Sequence, residues 1–399
     1  MAALAAGCSL RPEPLPGDAT PEVIDLPYEG IAFPSRRPAF EVPAGGALLA
    51  VGPDLDRLIV FDAASGDAVS EVPIGRDPVG LDGPSALVVD EPRNALYVAL
   101  SYPAVYTGAH VHEGSPLGAI EKISLDDLRV LGEIDVDVDP RAMALSDDGA
   151  SLVVTHFFEQ GLADALESPE DVEFARGRAV RIDPQAFADP SGANPPKTRA
   201  CVGSSGFSLS RPDGARAMVA CYGEDALAVV PLDEPEGEAT RFPVGDAPGF
   251  PGAPVYGPTA AVLSPDGTRM AMPCALSGDV RIVEVADGSL AGTPLPSVGI
   301  PGTPVYSSDG ARLLVPESNP GALVEIDLAT RAELSRTSIA ASECSRPLEL
   351  SHAGAGRLLL RCGDGALLLL DAADLSVVTR AFLGAPASAA ARLTPGGAR

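Results

Sequence analysis

Four histidines and six cysteines carry most of the distinctive chemistry in these 399 residues. His110 and His112 stand two apart in AHVHEG, so an extended segment would present both imidazoles on one side. His156 follows in VVTHFF. Neutral imidazoles at such spacing suit zinc or copper, with Glu113 and Glu159 as carboxylate partners. The competing reading is exposed loop histidines with no ligand. His352, in SHAGAG, belongs to a different turn and stays outside the set.

The cysteines are Cys8, Cys201, Cys221, Cys274, Cys344 and Cys362. No CxxC or CxxCH occurs, so neither a thioredoxin-type redox site nor attached c-type haem is supported. No G-x-S-x-G elbow points to a serine hydrolase. Arg76, Arg141 and Arg346 each directly precede an apolar run, in RDP, DPRA and SRP. They would form an anion-attracting spot or pair with local carboxylates. DVDVD from Asp135 sets three carboxylates along one side of an outer strand, a Ca²⁺-attracting row or a solvated edge.

These residues need a scaffold, and the scaffold is repetitive. SPDGTRMAMPC at Ser264 recurs as SRPDGARAMVAC from Ser210, SSDGARLLVPES from Ser307 and SHAGAGRLLLRC from Ser351. SDDGASLVVTHF starts at Ser146, and looser copies are DEPRNALYVALS from Asp90 and VPAGGALLAVG from Val42. A second apolar run follows each copy, usually ending near an acidic turn, as in DVRIVEVADG and GALVEIDLAT. Asp-Gly turns between short Val- and Leu-rich runs read as antiparallel strands. The turn positions, from Gly46 to Gly356, are spaced by 43 to 65 residues. A minimum near 43 with insertions is the period of a four-stranded propeller blade.

The expected fold is therefore all-β: a seven-bladed β-propeller of four-stranded antiparallel blades over residues 39–399. One such sheet cannot cover both of its faces alone, whereas radial packing of seven covers them mutually. Pro395-Gly396-Gly397 resembles the start of another copy. Either residues 391–399 supply a ring-closing strand to the first blade, or an eighth blade is truncated. Closure at seven is the preferred reading.

The motif "apolar run, SPDG, small and basic, apolar run, turn, V-x-V-I-D" resembles bacterial YVTN-type repeat propellers, relatives of WD-type, lactonase-like and haem d1-domain propellers. It covers roughly Ala39 to Ala390 and implies the fold more than the function. In such a blade the second strand ends beside the start of the first. Cys221, Cys274 and Cys362 end second strands, while Cys201 and Cys344 precede the first strands of two of the same blades. This predicts disulfides Cys201–Cys221 and Cys344–Cys362, with Cys274 free; the alternative is five buried thiols. His156 takes the same strand-end position in blade three. Arg76, Arg141 and Arg346 would stand at the mouth of the central channel.

The amino terminus, MAALAAGC, resembles the lipobox of bacterial lipoproteins and implies lipidation of Cys8 after removal of a signal remnant at residues 1–8. Residues 9–38 hold seven prolines and read as a semi-extended tether. By the sorting pattern of such lipoproteins, Ser9 implies an outer-membrane protein facing the periplasm or the cell surface. A formal net charge of -27 argues against nucleic acid, and no run of about 18 apolar residues is present.

Three functions follow from these residues. One is a monomeric, lipid-anchored, non-enzymatic propeller binding an envelope protein or surface ligand through its insertion-bearing face. The second is a lactonase-like or metal-assisted hydrolase using His110, His112 or His156. The third is an accessory of envelope electron transfer with a separate redox partner. No cofactor is expected beyond zinc or copper at the histidines.

Overall fold

The Ser-x-Asp-Gly turns that punctuate the sequence are held by their own side chains. Ser264 Oγ donates to Asp266 Oδ1 at 2.6 Å and accepts from the Arg269 backbone N–H, while Asp266 accepts from Thr268. Ser146 with Asp148 and Ser307 with Asp309 repeat the arrangement. Gly149, Gly267 and Gly310 follow with φ near +70°, a backbone region that favours glycine. Each motif therefore sets one tight hairpin between a first and a second strand.

The computed structural model describes residues 42–75, 82–101, 117–157, 165, 167, 172, 175–188, 195–211, 214–234, 237–246, 251–297 and 299–394. Among them lie seven four-stranded sheets, all antiparallel, with strands in sequence order within blades two to seven. The chain is a seven-bladed β-propeller. No helix of the described residues is long and apolar enough to cross a membrane.

Blade one departs from sequence order. Its innermost strand is Ala389–Leu393, which pairs with Ala47–Val51 in antiparallel register from Ala47↔Leu393 to Val51↔Ala389. The amino-terminal half of the body thus begins at a second strand, and the carboxy-terminal segment closes the ring. Residues 395–399 lie outside the described residues.

Strand alternation explains how the ring coheres. Leu48 and Ala50 pack with Leu367 and Leu369 of blade seven, whereas Leu49 and Val51 pack with Leu96 and Val98 of blade two. Every adjacent pair of blades shares one such cluster, seven in all. Second strands are consequently apolar on both faces and often read as unbroken runs, such as ALLAV and ALYVAL. At about 25 cal/mol per Å² of buried apolar surface, these inter-blade layers are the dominant favourable term.

Candidate ligand site at the channel mouth

The first strand of each blade lines the channel, and four of these strands break register near their start. The irregularities fall at Pro84/Ala86, Pro140/Ala142, Ser204/Phe207 and Pro347/Glu349. A bulge re-aims the extra residue, which here is Ser85, Arg141, Ser205 or Leu348. Hydroxyls at this level tie one blade to the next, among them Ser318 Oγ on the Pro347 carbonyl and Thr155 Oγ1 on that of Ser205. Ser388 Oγ donates to the Pro84 carbonyl, Ser85 Oγ to that of Pro140, and Ser205 Oγ to that of Pro258. Between blades six and seven the backbone does this directly: Thr303 N donates to Leu348 O at 2.8 Å. A Cβ on Gly302 would strike that same Leu348 carbonyl, so the close approach requires glycine.

Inside this ring of ties lies a cavity of about 560 Å³. Ser85, Ser101, Ser205, Thr259, Thr303 and Ser388 line it along with apolar residues, and the charged groups among the described lining residues are Arg141, Glu349 and Arg361. Glu349 and Arg361 face each other across the first and second strands of blade seven, with Arg361 Nη2 2.8 Å from Glu349 Oε2. Arg361 Nη1 also donates to the Ala387 carbonyl at 2.7 Å, bridging blade seven to blade one. Arg141 lies 5.3 Å from the Phe157 ring centroid and 3.4 Å from Asp139, with its side chain half exposed. Serine and threonine hydroxyls that donate to carbonyls keep lone pairs for a ligand. The lining therefore offers hydroxyl acceptors and guanidinium donors to the channel mouth.

The strand starts that form this rim share a face with the ends of the second strands. The segment joining Leu100 to Ala119 leaves and returns on that face, where Ser101 N bonds Gly83 O and Gly118 N bonds Asp137 O. His110, His112, Glu113, Glu159, Arg76 and Cys8 lie outside the described residues. Arg346 precedes its strand with φ 62°, and its guanidinium donates to the Gly363 carbonyl at 3.3 Å. It does not line the cavity, whereas Arg141 does.

His156 ends the second strand of blade three and is buried. Its Nδ1 is 2.9 Å from the Arg178 carbonyl, and Nε2 has no hydrogen-bond partner among the described residues. Burial pulls its pKa down to about 4, against the opposing pull of Asp137, so the ring is neutral at pH 7. The two expected disulfides are present, Cys201–Cys221 with Cα atoms 5.7 Å apart and Cys344–Cys362 at 5.4 Å. Cys274 is a buried free thiol whose pKa burial raises to about 12. Among the described residues, the grouping closest to a metal-ligand set is Cys201, Cys221 and Glu224, and its two sulfurs are already joined to each other. His352 ends the first strand of blade seven, 3.1 Å from the Tyr306 carbonyl.

The acidic DVDVD run does not form one face of an outer strand. The strand ends at Asp135, Asp137 pairs with Arg178 at 2.8 Å, and Asp139 takes φ 50° just before Pro140. The crossover to blade three begins inside the motif and splits the carboxylates between separate arginines.

Sequence reasoning missed the Glu349–Arg361 pair because the two residues lie in different strands with no distinctive motif. It also missed Glu317, which ends the second strand of blade six, buried, accepting from Ser297 Oγ and paired with Arg336. The small-residue starts of the first strands, in GPSA, GPTA and PASA, were the available signal for the channel level.

No protein-family profile and no curated protein sequence matches the chain. Solved structures do. The periplasmic gluconolactonase PpgL of Pseudomonas aeruginosa is 18% identical with TM-score 0.59, matching 88% of this chain and 99% of its own. A putative 6-phosphogluconolactonase from Bacteroides uniformis is 14% identical with TM-score 0.58, over 88% and 100%. The dihydro-heme d1 dehydrogenase NirN is 18% identical with TM-score 0.54; 87% of this chain matches 66% of that one. At these identities the likeness is one of fold.

Proposed function

We propose that this chain is a non-enzymatic binding propeller that takes a small polyhydroxylated acid, free or displayed on a surface ligand, at the channel mouth of its insertion-bearing face. The observation that carries this reading is the hydroxyl-lined cavity with Arg141 on one side and the Glu349–Arg361 pair on another. The described lining places no nucleophile beside a general base, and its serines and Thr259 donate to backbone carbonyls. Export with anchoring through Cys8 completes the proposal. Two disulfides favour an oxidising compartment.

The structural likeness to gluconolactonase supports a second reading, hydrolysis of a sugar lactone at the same mouth. Calorimetry with gluconate and a turnover assay with glucono-1,5-lactone separate the two. Binding predicts saturable gluconate uptake, lost in Arg361→Gln, with lactone disappearing at its uncatalysed rate. Protein-dependent lactone hydrolysis abolished by Arg361→Gln would establish the second reading instead, and inertness toward both ligands would overturn each. Palmitate labelling that survives Cys8→Ser would remove the anchor.

A further inference from the structure

Away from the channel, at the outer side of blades three and four, lies a cleft of about 500 Å³ whose charge opposes that of the protein. Its lining includes Arg178, Lys197, Arg199 and Arg241, with Glu238 the sole carboxylate among the described lining residues. This concentration of cations occurs in a chain where Asp and Glu number 55 against 28 Lys and Arg.

Described carboxylates already hold two of these cations, and Arg199 has a partner of its own. Asp137 holds Arg178 at 2.8 Å. Glu224 lies 2.8 Å from Arg176 and 3.6 Å from Arg241, so one carboxylate serves two guanidiniums. Arg241 further donates Nε and Nη2 to the Ala200 carbonyl, which fixes its plane against the floor. Its pKa is lowered by burial and by Arg176, against the opposing pull of Glu224 and Glu238. Lys197 is half-buried, and no described residue accepts a hydrogen bond from its ammonium.

We propose that this cleft binds a small organic phosphate or sulfate ester, with the dianionic group seated between Lys197 and the arginines. The chemistry is that of oxyanion recognition: rigid guanidinium forks for planar pairs of oxygens and an ammonium as a mobile point charge. The cavity is far larger than a single water, which takes about 30 Å³, so it has room for the organic part of the ester as well as its anionic head.

The test titrates the full chain by calorimetry with glucose 6-phosphate, inorganic phosphate, sulfate and, at matched ionic strength, chloride. The expected result is one saturable site for the ester and a weaker one for the free dianions. Lys197→Gln should weaken binding at least tenfold, and Glu238→Gln, which removes the rim carboxylate, should strengthen it. Arg57→Gln, in an exposed ion pair on blade one, serves as the control and should leave binding unchanged. Equal affinity in Lys197→Gln and wild type, or an effect that chloride reproduces, would overturn the proposal. If Lys197→Gln fails to fold, the Glu238→Gln comparison decides: no gain in affinity overturns it. Binding of phosphate and sulfate with no preference for the ester would leave a free oxyanion as the ligand and overturn the organic part.

Discussion

His156 and Cys221 end the second strands of neighbouring blades at the same register position. Pro140 pairs with His156 as Ser204 pairs with Cys221, and the next backbone N–H donates to Asp139 in one blade and Gly203 in the other. Three residues before Ser204 stands Cys201, bonded to Cys221; three before Pro140 stands Asp137. Blade three thus places an acid and a buried imidazole where blade four has a disulfide.

This position gives the fold an acid-sensitive point. The folded His156 has a pKa of about 4, below the ordinary value near 6.5, so as pH falls the unfolded chain takes up the proton first. Stability from this residue is intact above about pH 6.5 and drains away between there and about pH 4, by on the order of 3 kcal/mol. Carboxylates paired in the folded state add their own acid losses, so the informative quantity is the difference between variants. Denaturant midpoints from pH 7 to pH 4 should fall less steeply in His156→Gln than in wild type. Parallel curves would show that His156 does not titrate as described.

The cystines should matter mechanically rather than chemically. Each closes a loop of about 20 residues, worth about 3 kcal/mol in the chain-entropy account. Cys344→Ala with Cys362→Ala should lower the unfolding free energy by about that amount in urea titrations. Blade five offers a complementary experiment. Pro258 bridges to Cys274 as Ser204 pairs with Cys221, which puts Val255 where Cys201 stands in blade four. Val255→Cys should bond Cys274 spontaneously, and peptide mapping should recover a 255–274 cross-link. Recovery of a free Cys274 thiol would contradict the equivalence.

The fold was legible because the middle blades repeat one local instruction and the others keep its spacing. The Ser-x-Asp-Gly turn fixes a hairpin locally, and a second strand apolar on both faces can be satisfied only with a sheet on either side, as Leu48 and Leu49 show. The disulfides followed from the same register. The site was less legible. Arg346 and Arg141 occupy similar places in sequence, yet Arg346 turns to Gly363 through a positive φ while Arg141 faces the cavity from a bulge. Glu349 and Arg361 meet only through strand pairing, which no local motif encodes.

Ring closure should be indispensable. The Ala47–Val51 strand is wholly buried, with Ala389–Leu393 along its inner edge. Ending the chain at Ala387 would expose that edge and break the inter-blade tie from Ser388 to Pro84. Limited proteolysis should then cut the truncated protein rapidly throughout, and a protease-resistant truncated body would contradict this role.

The Glu349–Arg361 pair should prove more important to binding than to stability. Both side chains are partly exposed, and such pairs contribute about 1 kcal/mol or less. Arg361→Gln should shift the urea midpoint slightly while gluconate affinity drops at least tenfold. Equal losses in both would mark the pair as structural.

Hydrogen exchange with and without saturating gluconate addresses the channel site most directly. Protection is expected at the strand starts around residues 83–87, 139–143, 203–207, 258–262 and 386–390, with the outermost strands unaffected. Protection confined to the outer strands, or none at all under saturation, would contradict a ligand seated in the mouth of the channel.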